Sequence, residues 1–103
     1  MEFKEFLLVA VYVPNAGEEL KRLKYRIEEW DVDFRSYLIT LINAKKPVIV
    51  IGDFNVVHQE LDVVSLEFEE IYGCLTRDER HSFSKLFGNG FVDSFRYLYP
   101  QKV

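Results

Sequence analysis

The stretch "VIVIGDFNVVHQE", residues 48–60, begins with an apolar run. Two polar side chains that could do chemistry lie just after that run. Asp53 and Asn55 are two positions apart, so in extended backbone their side chains point the same way. A carboxylate can orient or deprotonate water, and an amide can hold water or a phosphate oxygen. Gly52 would permit a sharp exit from the strand and the close approach of a ligand. The pattern alone fits a catalytic site and an Asx-type turn about equally well.

A second polar group occurs in "YVPNAG", residues 12–17. Tyr12 could donate a hydrogen bond to an anionic oxygen, and Asn15 could bind a second oxygen. A tyrosine at a strand end and an asparagine in a turn are also common without any function. The two interpretations stay open until Tyr12 and Asp53 are placed relative to each other.

Other polar groups point more weakly to chemistry. His58, Glu60 and Asp62 are spaced two apart, which makes a metal site conceivable but favours a side-chain network that supports the loop. Cys74 has no recognisable catalytic partner and is interpreted as a buried small apolar residue. A run of basic residues favours a charged helix face over phosphate contacts. These residues are Lys21, Arg22, Lys24 and Arg26.

The elements that position these residues follow from apolar patterning. Residues 6–13 and 48–51 are continuously apolar, which predicts two strands buried on both faces. Residues 18–46 contain no Gly or Pro and carry one apolar stripe, which predicts a long helix. Strand, helix and strand form a crossover with parallel strands, so Tyr12 and Asp53 should meet at the carboxyl edge where α/β proteins place ligands.

The remaining chain predicts a loop and two shorter helices. Residues 59–73 mix apolar and acidic side chains without a period and are predicted to be loop. Thr76 and Glu79 form a capping box that should begin a helix over 77–87, with Gly88 as its terminator. Asp93 should cap a short helix over 94–98.

Composition limits the functions that this chain can have. The 103 residues suffice for one small domain, and the net charge of −4 argues against a stand-alone electrostatic nucleic-acid binder. It does not argue against a divalent cation held by carboxylates. One cysteine and no bilayer-length apolar run predict a soluble, intracellular protein of the nucleus or cytoplasm. An aromatic content of 16% exceeds what a small core covers, which predicts self-association through exposed apolar surface.

Taken together, these motifs resemble the exonuclease III family of apurinic/apyrimidinic (AP) endonucleases, within the endonuclease–exonuclease–phosphatase superfamily. The resemblance implies an α/β fold: residues 1–103 would be a partial domain, the middle of a two-sheet α/β sandwich of the DNase I-like type. The N-terminal and C-terminal strands of that sandwich would be lacking. The segments that carry the resemblance are "VYVPNAG", "RLKYRIEEWD", "KPVIVIGDFNVVHQELD", "DERHSF" and "DSFRYLYP".

The resemblance also implies roles for individual residues. Asp53 matches the aspartate that orients or deprotonates the attacking water, and Asn55 matches the asparagine that holds that water and the phosphate. Tyr12 matches the tyrosine at the scissile phosphate, and Asn15 a neighbouring phosphate contact. The implied cofactor is Mg²⁺, with Mn²⁺ as the alternative, and Asp53 and Asn55 are its candidate contacts here. The family's main metal-binding Glu has no counterpart in this stretch.

The implied function is a segment of a phosphodiesterase that cleaves double-stranded DNA 5′ to abasic sites. The family's Asp-His pair has no counterpart within these residues, so the isolated chain is expected to be weakly active or inactive. One alternative is a non-catalytic, truncated relative that acts by protein association. The other is a superfamily phosphoesterase that acts on lipid or nucleotide phosphates.

Overall fold

A computed structural model describes residues 1–103 and shows a mixed helix and strand fold with two parallel strands. The elements in chain order are β1 (Leu7–Tyr12), α1 (Leu23–Tyr25), a π turn (Arg26–Trp30), α2 (Asp31–Ile42), β2 (Val48–Asp53), α3 (Arg77–Gly88) and α4 (Ser94–Leu98). Two 3₁₀ turns, Glu18–Leu20 and Glu60–Asp62, lie in the connections. No helix combines the length and the apolar composition that crossing a bilayer requires.

The two strands pair in parallel, as predicted from the crossover. Leu7 lies opposite Val48, and Tyr12 lies opposite Asp53 at the carboxyl end. The pairing continues past the last strand residue, because the Val13 amide donates to the Asp53 carbonyl at 2.9 Å. The predicted meeting of Tyr12 and Asp53 at one sheet edge is therefore confirmed.

Gly52 is required by the neighbouring strand. Its φ is +141°, and a Cβ at this position would lie 1.8 Å from the Val11 carbonyl oxygen. The β1 backbone therefore approaches Gly52 closely, and the approach of a ligand at this position stays a prediction. Any larger residue would push the two strands apart one residue before Asp53.

The prediction that both faces of the strands are buried is wrong. Ile49 and Ile51 are 45% and 50% exposed. Val48 and Val50 on the opposite face are half-buried and line a cavity together with Leu38 of α2. The helices cover this face only, and no second layer covers the other, so its apolar residues remain in contact with water.

The long helix exists but begins later than predicted. Glu19 and Leu20 have φ values of 54° and 58°, in the left-handed region. The Arg22 amide then donates to the Ala16 carbonyl at 2.7 Å, which folds the chain back on the Asn15–Gly17 loop. Helical structure begins at Leu23 and continues through the π turn to Ile42. The start of the helix is set by this loop contact, which the absence of Gly and Pro from residues 18–46 does not reveal.

The predictions for the C-terminal half are confirmed with small shifts. Helix α3 is capped by Thr76, whose hydroxyl accepts from the Glu79 amide at 3.1 Å, and α3 ends at Gly88. The Glu79 carboxylate reaches back to the Cys74 amide at 3.0 Å instead of the Thr76 amide. Asp93 caps α4 through the Arg96 amide, and residues 59–73 contain turns and one 3₁₀ turn.

The fully buried part of the molecule is small and rich in polar groups. Val13, Ala16 and Leu38 are the buried apolar residues. The buried polar and charged residues outnumber them, and they are Arg26, Thr76, Glu79 and Ser82. The best-buried region therefore lies where the α1–α2 helical run meets α3, directly behind the carboxyl edge of the sheet.

Candidate active site

The carboxyl edge of the sheet presents an exposed tyrosine beside an exposed aspartate. Tyr12 is 67% exposed, and Asp53 is its partner in the parallel register. Paired residues of neighbouring strands lie on the same face, about 4.8 Å apart along the hydrogen-bonding direction. The phenol and the carboxylate can thus reach the same bound group.

Asp53 forms the bond of an Asx-type turn and keeps one oxygen open. Its Oδ1 accepts from the Asn55 backbone amide at 2.9 Å. Its other oxygen accepts no hydrogen bond from the chain, and the residue is exposed. The turn and the site are therefore compatible, because the turn bond fixes the carboxylate and leaves Oδ2 for water or a ligand.

Asn55 lies beyond the strand in a left-handed conformation, with φ at 45°. Strand alternation is therefore not what places it beside Asp53. Its Nδ2 donates to the Val13 carbonyl at 2.6 Å, and its Oδ1 accepts from Asn15 Nδ2 at 3.3 Å. Both ends of the Asn55 amide are engaged within the chain, so its first role visible here is to tie the two strand ends together.

Asn15 is held in the same way from the other side. Its Oδ1 accepts from the Gly17 amide at 2.8 Å, which makes a second Asx-type turn. Gly73 packs so close that a Cβ there would lie 2.8 Å from this oxygen. Ala16 between them is completely buried. Asn15 is exposed, and its Nδ2 donates to Asn55 Oδ1, so the loop after β1 and the loop after β2 form one surface.

Arg26 was predicted on a charged helix face, and this prediction is wrong. Its side chain is 2% exposed and donates to the carbonyls of Phe54 at 2.9 Å and of Asn55. It also forms a 2.5 Å ion pair with Glu79, which is fully buried. The sequence does carry a signal for this placement, since Arg26 follows Leu23 by three and precedes Trp30 by four. It therefore lies on the apolar stripe.

Cys74 contacts the candidate site and is only half-buried. Its Sγ lies 3.4 Å from Asn55 Oδ1 and 3.5 Å from Asn15 Nδ2, and its φ of 74° is left-handed. The interpretation as an ordinary buried apolar residue is therefore incomplete. Burial raises the pKa of the thiol, the Glu79 carboxylate raises it further, and Arg26 partly offsets both. The group is a neutral thiol at neutral pH.

The second polar cluster supports the loop, as favoured from the sequence. His58 Nε2 contacts Ser84 Oγ at 2.8 Å, and Asp62 pairs with Arg96. Burial opposes ionisation of Asp62, but its bonds to Arg96 and to the Gln59 amide hold its pKa below the usual range. No group of three or more His, Cys, Asp or Glu side chains is arranged to hold a metal ion.

The residues at the sheet edge could supply only a few of the ligands that a magnesium ion needs. Asp53 offers one open carboxylate oxygen, while the Asn55 oxygen already accepts from Asn15. Mg²⁺ commonly keeps several waters and binds through one or two carboxylates plus substrate phosphates. Asp53 suits such an ion as one ligand, and the remaining ligands would have to come from outside these residues.

Comparison with known proteins gives close relatives over nearly the whole chain. "DNA repair nuclease APEX1" of Danio rerio is 48% identical over 102 residues, which are 99% of this chain and 32% of that protein. "DNA-(apurinic or apyrimidinic site) endonuclease" of Dictyostelium discoideum is 47% identical over 99% of this chain and 28% of its own length. No protein-family model matches the chain.

The fold is also that of solved AP endonuclease structures. The AP endonuclease from Leishmania major superposes with a TM-score of 0.82 at 30% identity, over 93% of this chain and 33% of that chain. The predicted resemblance and the predicted DNase I-like α/β fold are thus confirmed. The chain spans about a third of the length of the relatives that it matches.

Proposed function

We propose, from the homology of this chain to one segment of AP endonucleases, that it is part of a phosphodiesterase that cleaves DNA 5′ to abasic sites. The observation that carries the proposal is the convergence of four side chains at one sheet edge. Tyr12 and Asp53 end the two parallel strands, and Asn15 and Asn55 lie in the loops that follow them. The substrate of the whole protein would be double-stranded DNA.

The side chains suit the attack of water on a phosphodiester. The open oxygen of Asp53 can orient the water or take its proton. The Tyr12 phenol, exposed beside it, can donate to an oxygen of the phosphate as negative charge grows there. Asn15 and Asn55 hold the two loops at a fixed separation. Phosphoryl chemistry of this kind depends mainly on positioning and charge stabilisation, so fixed loops matter more than additional reactive groups.

A magnesium ion, or manganese in its place, would supply positive charge against the phosphate oxygens. Asp53 is the residue of this chain that would contact it. Because one carboxylate cannot hold the ion and deprotonate water equally well, a second acidic residue from the rest of the protein would share these tasks. We therefore expect weak or no activity from the 103 residues alone.

The test is a chimera in which this chain replaces the matched 102 residues of the Danio rerio protein. The chimera should nick a duplex that contains one abasic site when magnesium is added. D53N should reduce that rate by about 100-fold or more, since it removes the carboxylate that acts on water. The measurement is gel separation of the labelled cleaved strand.

The matched control is D33N, because Asp33 is an exposed aspartate on α2, away from the sheet edge. An inactive chimera that nevertheless folds would contradict the proposed function, and so would equal effects of D53N and D33N. The isolated chain is assayed beside the chimera. Robust nicking by the chain itself, lost on D53N, would overturn the expectation that it needs further residues.

A second candidate function is association without catalysis. The observation that favours it is the uncovered sheet face, where Ile49 and Ile51 are about half exposed. An apolar face of this kind on a folded protein usually marks a contact surface. Under this alternative the polar residues at the sheet edge would be structural, and the face would bind another protein surface or a second copy of the chain.

A further inference from the structure

We propose that Arg26 is a positioning residue that sets the geometry of the Asp53–Asn55 turn from behind the sheet edge. The inference rests on the proposed function, because it assigns Arg26 to the same site. Arg26 lies outside the four converging side chains and does not reach the surface at which DNA would bind. It acts through the backbone that carries Asn55.

Arg26 holds two successive backbone carbonyls. Its Nη2 donates to the Phe54 carbonyl at 2.9 Å, and its Nη1 donates to the Asn55 carbonyl. The planar guanidinium presents these donors in a fixed fork, which an ammonium group does not. The backbone immediately after Asp53 is therefore held at two adjacent points by one rigid group.

The bond from Arg26 also helps to maintain the conformation of Asn55. Asn55 has a left-handed backbone, which asparagine adopts more readily than most non-glycine residues, and its contacts fix that conformation here. The backbone amide of Asn55 donates to Asp53 Oδ1, and its side-chain Nδ2 donates to the Val13 carbonyl. Its backbone carbonyl accepts from Arg26. Loss of the last contact frees the carbonyl end of Asn55 and, through the Asx bond, the Asp53 carboxylate.

The ion-pair partner of Arg26 reaches the other side of the site. Glu79 is fully buried and pairs with Arg26 through Oε2. Its Oε1 accepts from the Cys74 amide at 3.0 Å, and the Cys74 thiol contacts Asn55 Oδ1. The ion pair thus joins the turn after β2 to the loop before α3. The side-chain amide of Asn55, in the first of these segments, is contacted by Cys74 in the second.

The test uses R26K, which keeps a positive charge beside Glu79 but cannot bridge both carbonyls. In the active chimera, R26K should lower kcat by about 100-fold, the size of effect expected from a small displacement of reacting groups. KM should change far less, because Arg26 touches no substrate. R77K is the matched control, since Arg77 is an exposed arginine that pairs with Glu69 at the surface.

Hydrogen exchange separates positioning from folding. In the 103-residue chain, R26K should speed exchange of the Asn55 amide and leave the α3 amides protected. Unchanged exchange at Asn55, or an equal loss of protection throughout α3, would overturn the positioning role. Failure of the proposed function is recognised separately, because D53N would then also leave the chimera unchanged. If D53N lost activity and R26K did not, the positioning role of Arg26 would be rejected and the proposed function would stand.

Discussion

At the scale of single residues, Asn55 shows how a polar side chain can build a site without pointing freely into it. Its amide bonds Val13 on one side and Asn15 on the other, and its backbone is bonded by Asp53 and Arg26. Four contacts on one residue leave little freedom for the turn. The open oxygen of Asp53 is consequently presented in one direction before any ligand arrives, which reduces the reorganisation needed for reaction.

Gly52 provides the first prediction at this scale. G52A should lower the free energy of unfolding by at least about 2 kcal/mol, because the added methyl meets the Val11 carbonyl in a backbone conformation that L residues rarely adopt. Urea denaturation followed by circular dichroism measures the change. G88A is the control, since Gly88 is helical with no neighbour within 4 Å of an added Cβ.

The control should be neutral or slightly stabilising, because alanine favours helix over glycine by about 1 kcal/mol. If G52A were as stable as G88A, the strands would be free to separate at this point. The sheet edge would then be less rigid than the contact between Gly52 and Val11 indicates.

At the scale of elements, α3 is anchored to the loop after β2 by a histidine that packs mainly on aromatic rings. His58 stacks on Phe87 with centroids 4.9 Å apart and meets the edge of Phe83 at 5.1 Å. Burial lowers the pKa of His58, and nearby Arg80 lowers it further, while Asp62 and Asp93 act in the opposite direction. The neutral imidazole is therefore the form that packs best against α3.

This depressed pKa predicts how stability depends on pH. The unfolded chain takes up a proton at His58 near pH 6.5, whereas the folded chain does so only at lower pH. The contribution of His58 is thus present above about pH 6.5 and is lost as the pH falls through the folded pKa. H58Q should flatten the fall in unfolding free energy between about pH 7 and pH 5.

H81Q is the matched control, because it removes a histidine from the exposed side of α3. Thermal unfolding at a series of pH values gives the slopes. The link between His58 and α3 would be refuted if H58Q and wild type lost stability in parallel as the medium is acidified.

The elements also show which parts of the fold are predictable from sequence. Both strands and the caps at Thr76 and Asp93 follow from local patterns, because apolar runs and capping side chains act over a few residues. The parallel pairing follows from the strand–helix–strand order. The start of α1 and the burial of Arg26 depend on contacts with Ala16, Phe54 and Glu79. The contacts of Arg26 join distant segments, and the contact with Ala16 depends on a turn, so helical periodicity places neither of them.

The same distinction applies to the candidate site. The pairing of Tyr12 with Asp53 was predictable because parallel strands end at a common edge. The engagement of both ends of the Asn55 amide was not, since it depends on a left-handed backbone and on the position of Asn15. The role of Asn55 as a direct ligand of phosphate or metal remains a prediction.

At the scale of the whole molecule, little of the chain is shielded from water. Seven of the 103 residues are buried, and four of these seven are polar or charged. The radius of gyration is 14.4 Å, above the roughly 13 Å expected for a compact domain of about 100 residues. The molecule is flat, with a helix-covered side and the open face that carries Ile49 and Ile51.

The open face predicts association of the isolated chain. Sedimentation velocity should show a mass that rises with concentration, because pairing of two such faces removes apolar surface from water. The double variant I49T/I51T should remain monomeric, since threonine keeps β propensity but lowers hydrophobicity. V64T serves as the control, because Val64 is fully exposed in a loop away from the sheet. A wild-type chain that stays monomeric at every concentration would argue against the association function.

The buried ion pair between Arg26 and Glu79 also has an evolutionary consequence. The two residues are 53 positions apart in sequence, yet neither charge has access to water. A substitution at one position leaves the other charge buried without this partner, which is worse than losing both. The two positions should therefore be exchanged together or not at all among homologous chains. A lineage that drifted at one of them would have to pass through a poorly folded ancestor to change the other.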